Sequence, residues 1–124
     1  MDKQRILIIE DSALTSRLLR AALEEITDDI ELAHDGQDGL TALRAHPPDL
    51  MILDLWLPTL DGWSVLEHTR SDPRSANIPV IVITGFGGES NRVRAHEAGA
   101  NAFLAKPFSR TELISATRRL LAGV

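Results

Sequence analysis

The chain has 124 residues, 44% of them hydrophobic, which suits a single domain with a buried core, residues 1–124, and leaves little room for a second. Its 13 basic and 18 acidic residues give a formal net charge of −5, which offers no basic footprint, so no direct contact with nucleic acid is expected. With no cysteine it can form neither disulfides nor thiolate metal sites, and its N-terminus leads into an apolar run too short for a signal peptide or membrane span, so a cytoplasmic protein without membrane contact is expected.

Ile6 to Ile9 is an apolar run of the kind that forms a strand buried on both faces, and the acidic pair Glu10-Asp11 closes it. Leu14, Leu18, Leu19, Leu23 and Ile26 then follow at the spacing of one helical face, predicting a helix from about Ser12 to Glu25. Ile30 to Ala33 reads as a second strand ending at His34-Asp35-Gly36, and Leu40 and Leu43 mark a short helix stopped by Pro47-Pro48. Leu50 to Leu53 is the third strand, closed by Asp54. Pro58 and Asp61-Gly62 punctuate the loop beyond it, and Trp63 and Leu66 lie on the next helix.

Pro79 starts a fourth buried strand that runs through Ile83 into Thr84-Gly85, with Gly87-Gly88 beyond. The helix from Glu89 to Ala98 has Val93 as its main apolar residue and should be the least firmly packed. Ala102 to Ala105 is a short fifth strand, and Ser109 with Glu112 forms a capping box ahead of a last helix carrying Leu113, Ile114 and Thr117. The alternation predicts an α/β fold: a doubly wound, five-stranded parallel sheet in the flavodoxin-like order 2-1-3-4-5 with helices on both faces.

In that fold Glu10, Asp11, Asp54, Thr84 and Lys106 all fall at the carboxyl ends of strands, where open parallel sheets bind ligands. Three carboxylates gathered there repel one another, and a divalent cation relieves them. Hard oxygen ligands suit Mg²⁺, which completes its coordination with water and phosphate oxygens, so a phosphoryl substrate is implied. A carboxylate can serve as the nucleophile in phosphoryl transfer while a metal, an ammonium and a hydroxyl stabilise the equatorial oxygens; Asp54, Lys106 and Thr84 fit these roles. No GxxxxGK[ST] loop is present, and Gly85-Phe86-Gly87-Gly88 departs from a dinucleotide fingerprint at Ser90. Taken singly, Asp54 could be a helix cap and Lys106 a surface charge, but their register with Glu10, Asp11 and Thr84 argues otherwise; Phe103 on periodicity alone reads as core. His34, His46, His68 and His96 show no ligand spacing and are expected at the surface.

These motifs together resemble the receiver domains of two-component response regulators: Glu10-Asp11, Asp54 followed by Pro58 and Gly62, Thr84 after a Val-Ile strand, and Ala98-Gly99-Ala100 leading to Lys106-Pro107-Phe108. The resemblance spans essentially the whole chain. It implies that Asp54 accepts a phosphoryl group from a histidine of a partner kinase or phosphotransfer protein. It further implies that Asp11, Asp54 and the backbone carbonyl of Trp56 ligate Mg²⁺, with Glu10 acting through water. Lys106 and Thr84 would contact the phosphoryl oxygens, Phe103 would follow Thr84 as the switch aromatic, and Lys106-Pro107 would be a cis bond.

By the same resemblance, phosphorylation would alter the face formed by the fourth helix, fifth strand and fifth helix, read by a downstream protein target or by a second copy in a phosphorylation-dependent dimer. Trp56 and Phe86 are bulky at the two positions where the family governs water access to the acyl phosphate, which implies slow self-dephosphorylation. Such a domain is not an enzyme in the turnover sense; its chemistry is its own phosphorylation and dephosphorylation. No output domain is expected beyond Val124, so the expectation is a free-standing regulator or a receiver separated from a hybrid kinase or larger regulator. The competing readings are an aspartyl-phosphate phosphatase, which usually carries a second acid where this chain has Trp56, and a pseudo-receiver that works without phosphorylation.

Overall fold

The computed structural model describes residues 3–85 and 87–123. Strands and helices alternate: β1 (Ile6–Ile9), α1 (Ala13–Leu23), β2 (Ile30–Ala33), α2 (Gly36–Ala45), β3 (Leu50–Asp54), α3 (Gly62–Ser71), β4 (Val80–Thr84), α4 (Glu89–Glu97), β5 (Ala102–Ala105) and α5 (Arg110–Leu121). The strands pair in parallel in the order β2-β1-β3-β4-β5, the arrangement expected from the alternation of elements. None of the helices in the described residues is long and apolar enough to cross a membrane.

Strand residues alternate between two apolar layers because successive side chains point to opposite faces of a sheet. Leu7, Ile9, Met51, Leu53, Val80 and Val82 pack on one face with Leu40 and Leu43 of α2, Val65 and Leu66 of α3, and Ala95 of α4. Ile6, Ile8, Leu50, Ile52, Ile81 and Ile83 pack on the other with Leu19 and Leu23 of α1 and Leu113 of α5. Both faces are covered, which explains why β1, β3 and β4 read as unbroken apolar runs. Ser12, Asp35, Asp61 and Ser109 each cap a helix by accepting a backbone N–H three residues on, and the Ser109–Glu112 capping box is closed in both directions.

Two expectations about helix faces are corrected. The α1 stripe that meets the sheet is Ser16, Leu19, Ala22 and Leu23, whereas Leu14 and Leu18 are 68% and 63% exposed. Leu14 and Leu18 are one turn apart on a flank of the helix, and the leucine-rich spacing merged two stripes into one. On α4 the buried anchor is Ala95, while Val93 is 45% exposed. Asp54 belongs to β3 itself and closes it from inside the ladder, paired with Ile83.

Candidate functional site

Register places the site. Ile9 lies opposite Leu53, Asp54 opposite Ile83, and Thr84 opposite Ala105, so the residues closing β1, β3, β4 and β5 come to one edge of the sheet. The Lys106 N–H donates to the Thr84 carbonyl at 2.8 Å and carries the β4–β5 ladder one step further, which aims Lys106 back over the strand ends. Lys106 Nζ then donates to Glu10 Oε1 and to Asp54 Oδ2, each at 2.9 Å, joining residues 96 and 52 positions apart in sequence.

Carboxylate oxygens of Glu10, Asp11 and Asp54 lie within 4.8 Å of one another; Glu10 and Asp54 are buried and Asp11 is exposed. Asp54 Oδ1 accepts the Trp56 N–H at 3.1 Å, so both oxygens of Asp54 are engaged from within the pocket. Glu10 Oε1 is held by Lys106, but its buried Oε2 has no hydrogen-bond partner. Burial pushes the Glu10 carboxyl up to about 8, the neighbouring Asp54 adds to the shift, and Lys106 opposes it. For Lys106, burial works against the charge, yet its hydrogen bonds to Glu10 and Asp54 outweigh it and hold the ammonium above the ordinary lysine value.

The cluster fits Mg²⁺ on its own chemistry. Three hard oxygen donors converge from two strands, one buried oxygen is unsatisfied, and the single ammonium leaves an excess of negative charge. Glu10, Asp11 and Asp54 are the side chains that could hold such an ion.

The remaining expected residues sort clearly. Thr84 ends β4 and is fully buried beside this edge. Phe103 is 8% exposed on β5, with the Arg92 guanidinium 5.9 Å above its ring. The Lys106–Pro107 bond is cis, as the resemblance implies. Trp56 is 55% exposed at the rim of the pocket, whereas Phe86 lies outside the described residues. All four histidines are exposed, as expected, although His34 Nδ1 lies 3.3 Å from the Glu10 carbonyl oxygen.

Two supporting contacts and one backbone conformation were not legible from spacing. Arg94 stacks on Trp63 at 3.9 Å, tying α4 to α3. Arg70 donates to the carbonyls of Gly99, Ala76 and Ile78, binding the end of α3 to the loops that lead into β4 and β5. Thr59 adopts a left-handed backbone, φ 67°, in the loop after β3. Only the proline and glycine punctuation of that loop hinted at its unusual course.

A family model described as the response regulator receiver domain matches residues 6–118. The chain is 40% identical to the transcriptional regulatory protein PcoR of Escherichia coli over 118 residues, covering 95% of this chain and 51% of that protein. It spans about half the length of this and similar transcriptional regulators. Among solved structures, the signal receiver domain of a histidine kinase from Syntrophus aciditrophicus superposes with a TM-score of 0.88 at 35% identity, covering 98% of this chain and 92% of that one. The receiver domain of a sensor histidine kinase from Pseudomonas aeruginosa, with magnesium coordinated in its active-site cleft, does so with a TM-score of 0.88 at 29% identity, covering 98% and 99%.

Proposed function

Since the chain belongs to the response regulator receiver family of two-component signalling, we propose that residues 1–124 act as one module in which Asp54 is the phosphoacceptor and Mg²⁺ the cofactor. The observation that carries this reading is Lys106 Nζ set 2.9 Å from both Asp54 and Glu10 at the mouth of a three-carboxylate cluster. The donor is a phosphohistidine of a kinase or phosphotransfer protein. An Asp54 oxygen attacks phosphorus in line, the P–N bond breaks as the P–O bond forms, and the departing imidazole retains the electron pair and takes up a proton. Bound Mg²⁺ supplies charge neutralisation at the transferring oxygens.

The chain's own residues do the rest. Lys106 gives its ammonium to the incoming phosphoryl oxygens, which loosens its hold on Asp54. The Trp56 N–H keeps Asp54 Oδ1 oriented, as it does at 3.1 Å in the resting pocket. Thr84 reaches a phosphoryl oxygen only by turning from its buried position, and that movement changes the space beside Phe103. Altered packing of Phe103 under Arg92 passes the change to the α4–β5–α5 face, where a downstream protein or a second copy reads it. Trp56 at the rim shields the acyl phosphate from water.

The test is Mg²⁺-dependent phosphorylation from acetyl phosphate followed by intact mass. One added phosphoryl group in the wild type and none in Asp54→Ala is expected, with a shorter phosphoryl lifetime in Trp56→Ser. No addition where Mg²⁺ demonstrably binds would sink the phosphoacceptor reading, and sustained release of inorganic phosphate would point to a phosphatase.

A further inference from the structure

The loop between β3 and α3 carries Trp56, and the N-terminus of α2 holds that loop from the side. Three backbone N–H groups open α2, and none has a partner within the helix. Asp38 N–H is capped by Asp35 Oδ1 at 2.7 Å, but the other two leave the helix altogether. Gly36 N–H donates to the Pro58 carbonyl at 3.2 Å, and Gln37 N–H donates to Thr59 Oγ1 at 3.2 Å. The approach is so close that a Cβ on Gly36 would stand 1.7 Å from the Leu60 carbonyl oxygen. On its far side the same loop is fastened by the Gly62 N–H, which donates to the Leu55 carbonyl at 2.8 Å.

Thr59 is the only non-glycine residue with positive φ among the described residues, at 67°. A β-branched side chain is a true outlier there, and such strain persists only where the surroundings enforce it. Its hydroxyl reaches α2 from this conformation. The residue is exposed, so ordinary packing does not explain the strain.

We infer that Thr59 is a positioning residue for the metal pocket: its left-handed backbone and its hydroxyl bond to α2 fix the loop so that the Trp56 carbonyl and Asp54 are held in place for Mg²⁺. The inference rests on the receiver reading of the pocket. Mg²⁺ demands near-ideal octahedral geometry, so a ligand on a slack loop binds it poorly. Neither Thr59 nor Gly36 touches the ion; they act through the loop.

The test reads Mg²⁺ affinity from the emission of Trp56 in a Trp63→Phe background, alongside the melting temperature without metal. Thr59→Gly removes the hydroxyl and also the backbone strain, so its melting temperature is expected to hold or rise while Mg²⁺ affinity falls about ten-fold, the scale of lost support behind a metal ligand. Thr59→Asn tolerates the left-handed region and keeps an acceptor, and it is expected to retain affinity. Unchanged affinity in Thr59→Gly, a parallel loss of stability and affinity, or failure of Thr59→Asn to rescue would each overturn the inference. Absence of Mg²⁺ binding in the Trp63→Phe parent would instead bring down the pocket reading and this inference with it.

Discussion

Glu10 is the residue whose chemistry depends most on its surroundings. An unfolded glutamate titrates near 4.5, whereas burial beside Asp54 pushes the folded Glu10 up to about 8. Between these values the folded chain keeps a proton that the unfolded chain has given up. Glu10's contribution to stability is therefore fully present below about pH 4.5 and is lost as pH rises through about 8. Metal binding runs the other way, because Mg²⁺ needs the carboxylate and must displace the proton. Apparent Mg²⁺ affinity is expected to rise roughly ten-fold per pH unit up to about 8 and then level off, with one proton released per ion in calorimetry. Glu10→Gln should flatten that dependence; a flat profile in the wild type would show that Glu10 is already ionised. That Glu10 belongs to the site was legible because it closes an apolar run. Its proton was not, since it depends on Lys106 and Asp54, which only folding brings near.

Among the elements, α4 is held differently from its neighbours. Of the helices in the described residues, it alone lacks a side-chain cap; its N-cap is Gly88 at φ 98°, and Ala95 is its only buried residue. Its C-terminal end is fastened by Arg70, which donates twice to the Gly99 carbonyl, at 3.0 and 2.8 Å. Between these ends, Arg94 stacked on Trp63 is the link to α3. A helix tied at one end and loose at the other can pivot, and its loose end adjoins the loop after Thr84. An exposed cation–π contact contributes about 0.5–1 kcal/mol, so Arg94→Ala should speed amide exchange over 89–94 by roughly two- to five-fold and leave β3 unchanged. Hydrogen exchange with mass detection measures this, and equal rates in the two proteins would show that the stack does not restrain α4. The weak packing of α4 was legible from its polar composition. Its real anchors were not, because the partners of Arg94 and Arg70, Trp63 and the Gly99 carbonyl, lie about thirty residues away in the chain.

Over the whole molecule, stability rests on the two apolar layers around β1, β3 and β4. Ile52 sits at the centre, fully buried and paired with Ile8 on one side and Ile81 on the other. Close-packed surroundings collapse little around a void, so Ile52→Ala should cost about 2–5 kcal/mol. The urea midpoint should fall with the slope unchanged, whereas a shift below about 1 kcal/mol would mean that the layers repack freely. The same sheet fixes the site, since every pocket residue adjoins a strand end whose register is locked by this core.

Read locally, the chain specifies the order of elements, the buried strands, the starts of α1, α4 and α5, and the placing of Glu10, Asp11, Asp54, Thr84 and Lys106 at strand ends. Those features are written in run length, periodicity, capping side chains and turn residues, all of them local properties of the chain. Tertiary structure alone decided that Leu14 and Leu18 face outward, that Ala95 rather than Val93 anchors α4, that Lys106 bridges Glu10 and Asp54, and that Thr59 is held at positive φ. Each of these depends on groups far apart in sequence competing for one space or one hydrogen bond, and no local pattern records the outcome of that competition.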